Sequence, residues 1–234
     1  MSRILILTAV ELEARALARH LELPALPTIG VPAFGRGTVR LAPVGLRAAL
    51  LTQRWPALHL GLDQPLVISA GVCGALAPEL RTGDLVLPES VIGPAAERLN
   101  VTPTAYARAA ALASQARPGT LATSSEVVAT ASAKAALHAQ TGAVAVDMES
   151  SVILSFAARA GCPTLVVRGV SDAAGEDVPA ELIGLVTEAG KLRPARALAL
   201  SVTRPSVLPR AFALRHATLR ALAAVARLLA AFTA

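Results

Sequence analysis

The sequence predicts an α/β fold: a single domain of three layers, α/β/α, with a central mixed, mostly parallel sheet and a helical tail at the C-terminus. Three observations support this. Short apolar runs alternate with Ala-rich stretches throughout residues 1–190. These runs lack a clean polar–apolar alternation, which is typical of strands that are buried on both faces. Of the 234 residues, 54% are hydrophobic and 16% charged, so the chain can bury one continuous core.

Six short aliphatic runs are predicted to be strands. They are Arg3–Thr8, Val39–Val44, Leu66–Ser69, Asp84–Leu87, Ala143–Val146 and Thr164–Arg168. Two of them lead into glycine-bearing segments, Ala70–Ala75 and Gly169–Gly175, which we predict to be turns. Ligands of such sheets bind at the carboxyl ends of the strands, so these turns are the expected location of a site.

Helices are predicted between the strands. The first begins near Val10, the second covers Gly45–Leu58 and ends before Gly61, and a third runs from about Glu149 to Ala160. The residues after Pro209 are predicted to form one further helix.

The basic charge lies almost entirely at the C-terminal end. Residues 1–190 carry 14 basic and 16 acidic side chains, whereas residues 191–234 carry eight basic side chains and no acidic one. The net charge of +6 therefore divides into −2 and +8. We expect an α/β domain over residues 1–190 and a basic, Ala/Leu-rich helical extension over residues 191–234.

Two interpretations of the extension are open. It can pack on the domain with a solvated basic edge, or it can lie at an anionic membrane surface through residues 205–234. On a helical wheel His216, Arg220 and Arg227 share one side. The prolines and arginines argue against a membrane-spanning helix. With 3% aromatic residues and no recognisable module, nucleic acid is not an expected partner.

Cysteine and histidine usage argues against metal or disulfide chemistry. The two cysteines, Cys73 and Cys162, cannot form a disulfide framework or a four-cysteine zinc site. The four histidines have no metal-ligand spacing, and no cofactor is expected. Because the apolar N-terminal run ends before Glu11, it is not typical of a secretory signal. We expect a cytoplasmic protein, peripheral at the inner membrane if the extension is interfacial.

Three acidic residues each follow a predicted strand: Glu13, Glu149 and Asp172. Taken singly, each has a structural explanation. The two glutamates suit the first turn of a helix, and Asp172 suits a turn. Taken together, with Met148 beside Glu149, they indicate a site, because the carboxyl ends of parallel strands meet at one edge of a sheet.

Four segments occur in a characteristic order over residues 3–175: Ile4–Glu13, Ile68–Pro78 with Thr82–Val86, Ala145–Glu149, and Val167–Asp172. Together they resemble the purine nucleoside phosphorylase and nucleosidase superfamily, in particular its methylthioadenosine/S-adenosylhomocysteine nucleosidase branch. Two further segments are similar to the hopanoid-associated phosphorylase family, also described as adenosylhopane nucleosidase. One is the run from Val128–His138 into Thr141–Ser150, and the other is the proline-containing segment Arg204–Pro209 of the basic tail.

The resemblance implies hydrolysis of an adenine nucleoside with a large apolar 5′ substituent: adenosylhopane would yield adenine and ribosyl hopane in hopanoid biosynthesis. Asp172 would protonate adenine N7, and Glu13 would activate a water, with Glu11 as its alternative. Glu149 would accept hydrogen bonds from the ribose hydroxyls, with Met148 packing on the sugar. The other residues expected to contact or position the substrate are Ser171, Gly71, Gly74 and Val128.

Departures from the superfamily pattern favour water over phosphate as the nucleophile. Phosphorolytic relatives have an arginine two residues before the turn glycine and a serine after it, where this chain has Ser69 and Val72. Arg47 and Arg168 remain available as phosphate ligands.

The resemblance also implies a homo-oligomer, a dimer or higher, in which a neighbouring subunit lends residues to the site. Three alternatives stay open. The chain can be a methylthioadenosine/S-adenosylhomocysteine nucleosidase or a related nucleosidase of menaquinone synthesis. It can be a phosphorolytic purine nucleoside phosphorylase, or a non-catalytic nucleoside sensor or membrane-surface adaptor.

Overall fold

The computed structural model describes residues 3–27, 31–179, 181, 184–195 and 203–234, so residues 196–202 of the predicted extension lie outside the described residues. The strands in these ranges are β1 Ile4–Thr8, β2 Phe34–Arg36, β3 Val39–Pro43, β4 Leu66–Ala75, β5 Leu85–Val86, β6 Ser90–Ile92, β7 Arg98–Asn100, β8 Thr120–Thr123, β9 Ala145–Asp147 and β10 Thr164–Asp172. The α-helices are α1 Glu11–His20, α2 Leu51–His59, α3 Pro103–Leu112, α4 Ala131–Thr141, α5 Ser150–Arg159 and α6 Leu208–Thr233.

A mixed, mostly parallel sheet is organised around β4. This strand pairs in parallel with β1 and β10, and its last residues pair antiparallel with β9. The sheet continues outward from β1 through β3 to β2, and from β9 through β8 and β6 to β7. Strand β5 pairs antiparallel with β10. The strand ends that bear the acidic residues are therefore brought together around β4.

Helices cover both faces of the sheet, as the apolar runs predicted. Along β1, Ile4 and Ile6 belong to the cluster formed with α1, α3 and α6, whereas Leu5 and Leu7 belong to the cluster with α2 and α5. Successive side chains of a strand point to opposite faces, so a strand covered on both sides needs apolar residues at every position. The predicted α/β/α fold class is confirmed.

Both strands that lead to the site are longer than predicted. The expected turn Ala70–Ala75 is a continuation of β4, and β10 continues to Asp172 through the first part of the expected turn Gly169–Gly175. The reason is pairing: β10 and β4 are parallel neighbours from Thr164 opposite Val67 as far as Asp172 opposite Gly74. Backbone groups buried at this depth need partners, and the extended ladder supplies them.

The predicted helix Gly45–Leu58 is broken near its start. A 3-10 turn covers Leu46–Ala48, and Arg47 adopts a left-handed conformation with φ of 53° before α2 begins. The Leu46 N–H donates to the Glu188 carbonyl at 2.8 Å, and the Arg47 N–H donates to Glu149 Oε1 at 2.9 Å. These two distant partners, which local sequence does not reveal, favour the strained turn over a regular helix.

The last helix, α6, is buried in its second half and exposed in its first. Leu222, Val225 and Leu229 are buried with α1 and α3, and Gly169 of β10 allows the helix backbone at Ala221 to approach the sheet closely. The first half of α6 exposes most of its side chains to solvent. The second half of α6 therefore packs on the domain, as in the first of the two interpretations of the extension.

Within the described ranges, no helix has both the length and the apolar character needed to cross a membrane.

Candidate active site

A cavity of about 240 Å³ opens where β1, β9 and β10 end beside the last residues of β4. Seven of the eight residues predicted to form the site line this cavity: Glu13, Gly74, Val128, Met148, Glu149, Ser171 and Asp172. The eighth, Gly71, lies behind the wall, next to Glu13. The sequence-based prediction and the fold therefore lead to the same place in the molecule.

Glu13 is buried in the first turn of α1 and is held by three backbone N–H groups. Its Oε2 accepts from Ala9 at 3.0 Å and Val10 at 3.2 Å, and its Oε1 accepts from Val72 at 2.9 Å. Burial raises the pKa of Glu13, while the Arg168 cation and the three N–H donors act in the opposite direction. Glu11 instead pairs with Arg15 on the surface at 2.6 Å, so only Glu13 of the two reaches the cavity.

Glu149 is buried at the start of α5, where its Oε1 accepts the Arg47 N–H. Burial raises its pKa to about 8, and the nearby Asp147 carboxylate adds to this, while Arg168 opposes it. In the free protein this carboxyl group therefore changes charge close to neutral pH.

Arg168 lies beneath the cavity rather than in its wall. Its side chain is 1% exposed, and Nη2 contacts Asp147 Oδ2 at 2.6 Å, Ser69 Oγ at 2.8 Å and Ser150 Oγ at 3.1 Å. Its cation interacts with the buried carboxyl groups of Asp147, Glu149 and Glu13, and it opposes the rise in pKa that burial causes at the two glutamates. The other arginine considered as a phosphate ligand, Arg47, directs its side chain to Glu188 at 2.9 Å.

Gly71 leaves room for the side chains of Glu13 and Arg168 to approach β4. A Cβ atom at this position would lie 2.5 Å from Arg168 Nη1 and 2.6 Å from Glu13 Oε1. Any larger residue would push the carboxylate and the guanidinium out of place. Gly71 therefore helps to position the Glu13 side chain and does not itself contact a ligand in the cavity.

Asp172 ends β10 and is held from two sides. Its Oδ1 accepts from Ser171 Oγ at 2.7 Å, and its Oδ2 accepts from Lys134 Nζ at 2.5 Å. Lys134 comes from α4 and is fully buried. Sequence reasoning missed it, although a lysine on an otherwise Ala-rich helix segment that leads to the Met-Glu motif is an indication that could have been followed.

Cys73 lines the cavity as a small buried residue. Its thiol contacts the Gly169 carbonyl at 3.6 Å, and burial raises its pKa, so it is a poor source of thiolate. Among the residues that the structure describes, no group of three or more His, Cys, Asp or Glu side chains is arranged to hold a metal ion.

The Glu149 carboxyl group provides a pH-dependent prediction. An ionised carboxylate only accepts hydrogen bonds, which suits two adjacent hydroxyl donors, so ligand binding needs the ionised form. With a pKa of about 8, the ionised fraction rises with pH, and kcat/KM for a nucleoside should rise about tenfold between pH 7 and pH 9. Glu149→Gln should lower kcat/KM and remove the rise. A flat wild-type profile over this interval would contradict the assignment.

The raised pKa of Glu149 also affects folding stability, which should fall as pH rises, whereas kcat/KM should increase. Unfolded Glu149 ionises above its ordinary pKa of 4.5, whereas in the folded protein it stays protonated up to about pH 8. Folding stability from this group is therefore greatest below pH 4.5 and is lost as pH rises towards 8. Glu149→Gln should raise Tm at pH 8 by a few degrees, on a scale of roughly 2–4 °C per kcal/mol for a chain of this size. A lower Tm for the variant at pH 8 would contradict this.

Comparison with known proteins shows the family and the fold. A model of the Phosphorylase superfamily matches residues 3–203. Futalosine hydrolase from Streptomyces coelicolor is 34% identical over 223 residues, which cover 82% of this chain and 95% of that protein.

Solved structures with the same fold include a 5′-methylthioadenosine/S-adenosylhomocysteine nucleosidase from Helicobacter pylori with butyl-thio-DADMe-Immucillin-A. It has a TM-score of 0.73 at 19% identity, with 100% of this chain and 98% of that chain covered. The futalosine hydrolase of H. pylori has a TM-score of 0.72 at 18% identity, with 99% and 97% covered. At these identities the structural likeness shows the fold.

The superfamily predicted from the sequence is confirmed, as is the prediction of an enzyme of the N-glycosyl hydrolase type. The family model covers both the acidic turn after β1 and the aspartate that ends β10. This chain belongs to the Phosphorylase superfamily of nucleoside phosphorylases and nucleosidases.

Proposed function

We propose that the protein hydrolyses the N-glycosidic bond of a purine nucleoside, with Glu13 as the general base, Asp172 as the general acid and Glu149 as the ligand of the ribose. The observation that carries this proposal is the set of three carboxyl groups around one cavity, each with different partners. Such differences assign different protonation behaviour to groups in one site, and acid–base catalysis needs this division of labour.

Glu13 suits the role of base. Its three N–H donors and the neighbouring Arg168 favour the ionised form, which can accept a proton from an attacking water. The surroundings also favour water over phosphate: the Ser69 hydroxyl is occupied by Arg168, and the Val72 N–H is occupied by Glu13 itself. Neither of these two groups is left to bind an anion.

Asp172 suits the role of acid at the other end of the cavity. When the bond from C1′ to N9 breaks, its electron pair moves into the purine, and N7 becomes basic. Ser171 fixes the carboxyl group at 2.7 Å, so that the group can donate to N7 as charge develops there. Glu149 and Met148 border the same cavity and would hold the sugar between the two ends.

The proposed substrate is adenosylhopane. Support comes from the Val128–Ser150 run, from the largely apolar cavity wall that includes Val10, Leu46 and Val72, and from the exposed half of α6. A second candidate, futalosine, is favoured by the 34% identity to the Streptomyces coelicolor enzyme. We also propose that the protein acts as a homo-oligomer at the cytoplasmic side of the membrane, since the cavity residue Val127 is 39% exposed and suited to cover by a second subunit.

Purine release across a panel of nucleosides tests the proposal. Purified protein should liberate adenine from adenosylhopane dispersed in detergent, faster than from methylthioadenosine. Good turnover of methylthioadenosine or futalosine with none of adenosylhopane would overturn the substrate while leaving the nucleosidase intact. Absence of turnover with every nucleoside would overturn the proposed activity itself.

The exposed side of α6 is proposed to contact anionic lipid. Phe212 is 56% exposed and Leu219 is 38% exposed, one above the other on the helix, with Arg215 and Arg220 exposed on either side. Apolar residues flanked by arginines are typical of a helix that lies in a membrane interface. The opposite side of this segment, which includes Ala217, borders a second cavity that reaches Asp172, so lipid contact would bring the bilayer near the site.

Phe212→Ser/Leu219→Ser should lower the partition constant for vesicles containing phosphatidylglycerol by about 100-fold or more, because about 1.5–3 kcal/mol of burial is lost per large apolar side chain. Leu60→Ser is the matched control, since Leu60 is 69% exposed and follows α2 on the other face of the sheet. Cosedimentation with the vesicles measures both. Equal losses for the two variants, or no loss for either, would remove the membrane proposal.

A further inference from the structure

Lys134 is a buried ionisable group beside Asp172 to which the proposed chemistry assigns no role. It lies in α4, it is fully buried, and its ammonium group donates to three acceptors: Asp172 Oδ2 at 2.5 Å, the Ala173 carbonyl at 2.9 Å and the Glu176 carbonyl at 2.8 Å. Three acceptors match the three protons of an ammonium group. In the resting enzyme, therefore, Lys134 carries the proton and Asp172 is a carboxylate.

This arrangement conflicts with the role of Asp172 unless the proton can move. A general acid must carry a proton when the bond breaks, yet both Asp172 oxygens accept hydrogen bonds from protein donors. Lys134 Nζ donates to Oδ2, which is also the oxygen next to Gly74 in the cavity wall: a Cβ on Gly74 would lie 3.0 Å from it. The oxygen that accepts from Lys134 therefore lies against a residue of the cavity wall.

We propose that Lys134 is a positioning residue that supplies Asp172 with the proton for the departing purine. As the C1′–N9 bond breaks and its electron pair enters the purine, Asp172 passes a proton to N7 and takes one from the Lys134 ammonium. Lys134 is left as a neutral amine that still donates to both carbonyls. Water adds hydroxide to C1′ and gives its proton to Glu13, and exchange with solvent returns Glu13 and Lys134 to their starting states.

Lys134 also holds the loop that follows β10. Two of the three Lys134 hydrogen bonds go to backbone carbonyls between Ala173 and Glu176, so the lysine fixes this loop relative to the carboxyl group. Other ionisable groups that face this region come from β4, the loop before α4, the loop after β10, and α6. Beyond Glu13, Asp147 and Glu149 in the cavity wall, they are Cys73, Glu126, Glu176, Asp177, Arg210 and Arg220. In the described residues, only Lys134 forms an ion pair with Asp172.

The inference rests on the proposed nucleosidase activity, and two substrates separate it from a structural role. A purine nucleoside needs a proton at N7, whereas 4-nitrophenyl riboside releases a stabilised phenolate and needs none. In Lys134→Met, the ratio of kcat for the purine nucleoside to kcat for the nitrophenyl riboside should fall about 100-fold at pH 8, the usual size of a general-acid contribution. Because both rates come from one preparation, the ratio does not depend on the fraction of folded enzyme.

The pH profile gives a second readout. Without Lys134, Asp172 must take its proton from solvent, so the purine turnover of Lys134→Met relative to the wild type should recover as pH falls from 8 to 5. Glu13 and Glu149 titrate in both enzymes, so the readout is the turnover of Lys134→Met divided by that of the wild type at each pH, and this quotient should rise as pH falls. Lys191→Met, which removes an exposed lysine, is the matched control and should keep both the ratio and the profile of the wild type.

The outcomes separate cleanly. A rate ratio within tenfold of the wild type, or a pH profile parallel to it, would overturn the role of Lys134 while leaving the nucleosidase proposal in place. Loss of both substrates to the same extent would also overturn it, since that result describes a structural residue. Cleavage of nitrophenyl riboside by the wild type without any cleavage of purine nucleosides would instead overturn the proposed function.

Discussion

Asp172→Asn is expected to lower kcat for purine nucleoside hydrolysis by about 10²–10⁴-fold, with a much smaller change in KM, because the loss falls on the transition state. The amide keeps the shape of the carboxyl group but cannot carry a transferable proton. It also leaves the fully buried Lys134 without its anionic partner, so a lower Tm should accompany the loss of activity. Steady-state purine release and a thermal melt measure the two effects.

A matched control for this substitution is Asp84→Asn. Asp84 is a half-buried carboxylate that accepts the Arg81 N–H at 2.9 Å in the turn before β5. Its loss should leave kcat within about twofold, since no residue of the cavity depends on it. If Asp172→Asn retains kcat within about tenfold of the wild type, roughly 1.4 kcal/mol of barrier, Asp172 is not the general acid.

Glu13→Gln is the second substitution with a large expected effect, a fall in kcat of about 100-fold or more. The amide cannot accept a proton from water at neutral pH. Its NH₂ group would also have to face one of the three N–H donors that now surround the carboxylate, from Ala9, Val10 and Val72. Two donors that face each other displace the side chain, so both the chemistry and the position of the group are lost.

Glu11→Gln is the matched control, two residues earlier on the same helix. Glu11 pairs with Arg15 on the surface, a contact that contributes less than about 1 kcal/mol. Its kcat should therefore stay within about twofold of the wild type. If Glu11→Gln lowered kcat more than Glu13→Gln did, the assignment of Glu13 as the general base would be wrong.

Much of this architecture could be predicted from the sequence, because the relevant information is local. Apolar runs of strand length with no polar alternation predicted a sheet covered on both faces, and β1 shows why: Ile4 and Leu5 face different helical layers. The acidic residues were found because each lies within five residues of the end of a predicted strand. Their convergence follows from parallel topology, which brings the ends of β1 and β10 together on either side of β4.

What sequence reasoning missed depends on contacts between distant segments. The broken helix at Arg47 results from hydrogen bonds to Glu149 and Glu188, which lie 102 and more residues away along the chain. The glycine-bearing ends of β4 and β10 were predicted to be turns because glycine is common there, but their mutual pairing keeps them extended. Lys134 had no motif of its own, and only the fold brings its ammonium group to Asp172.

The dependence of purine release on phosphate tests the central claim most directly. The claim is that Glu13 activates water in a site whose Ser69 hydroxyl and Val72 N–H are already occupied. Initial rates should be measured over a range of phosphate concentrations at constant ionic strength, with the sugar product identified by mass spectrometry. We predict a rate that is independent of phosphate and a free sugar as the product. A rate that rises with phosphate, together with a sugar 1-phosphate, would contradict the account.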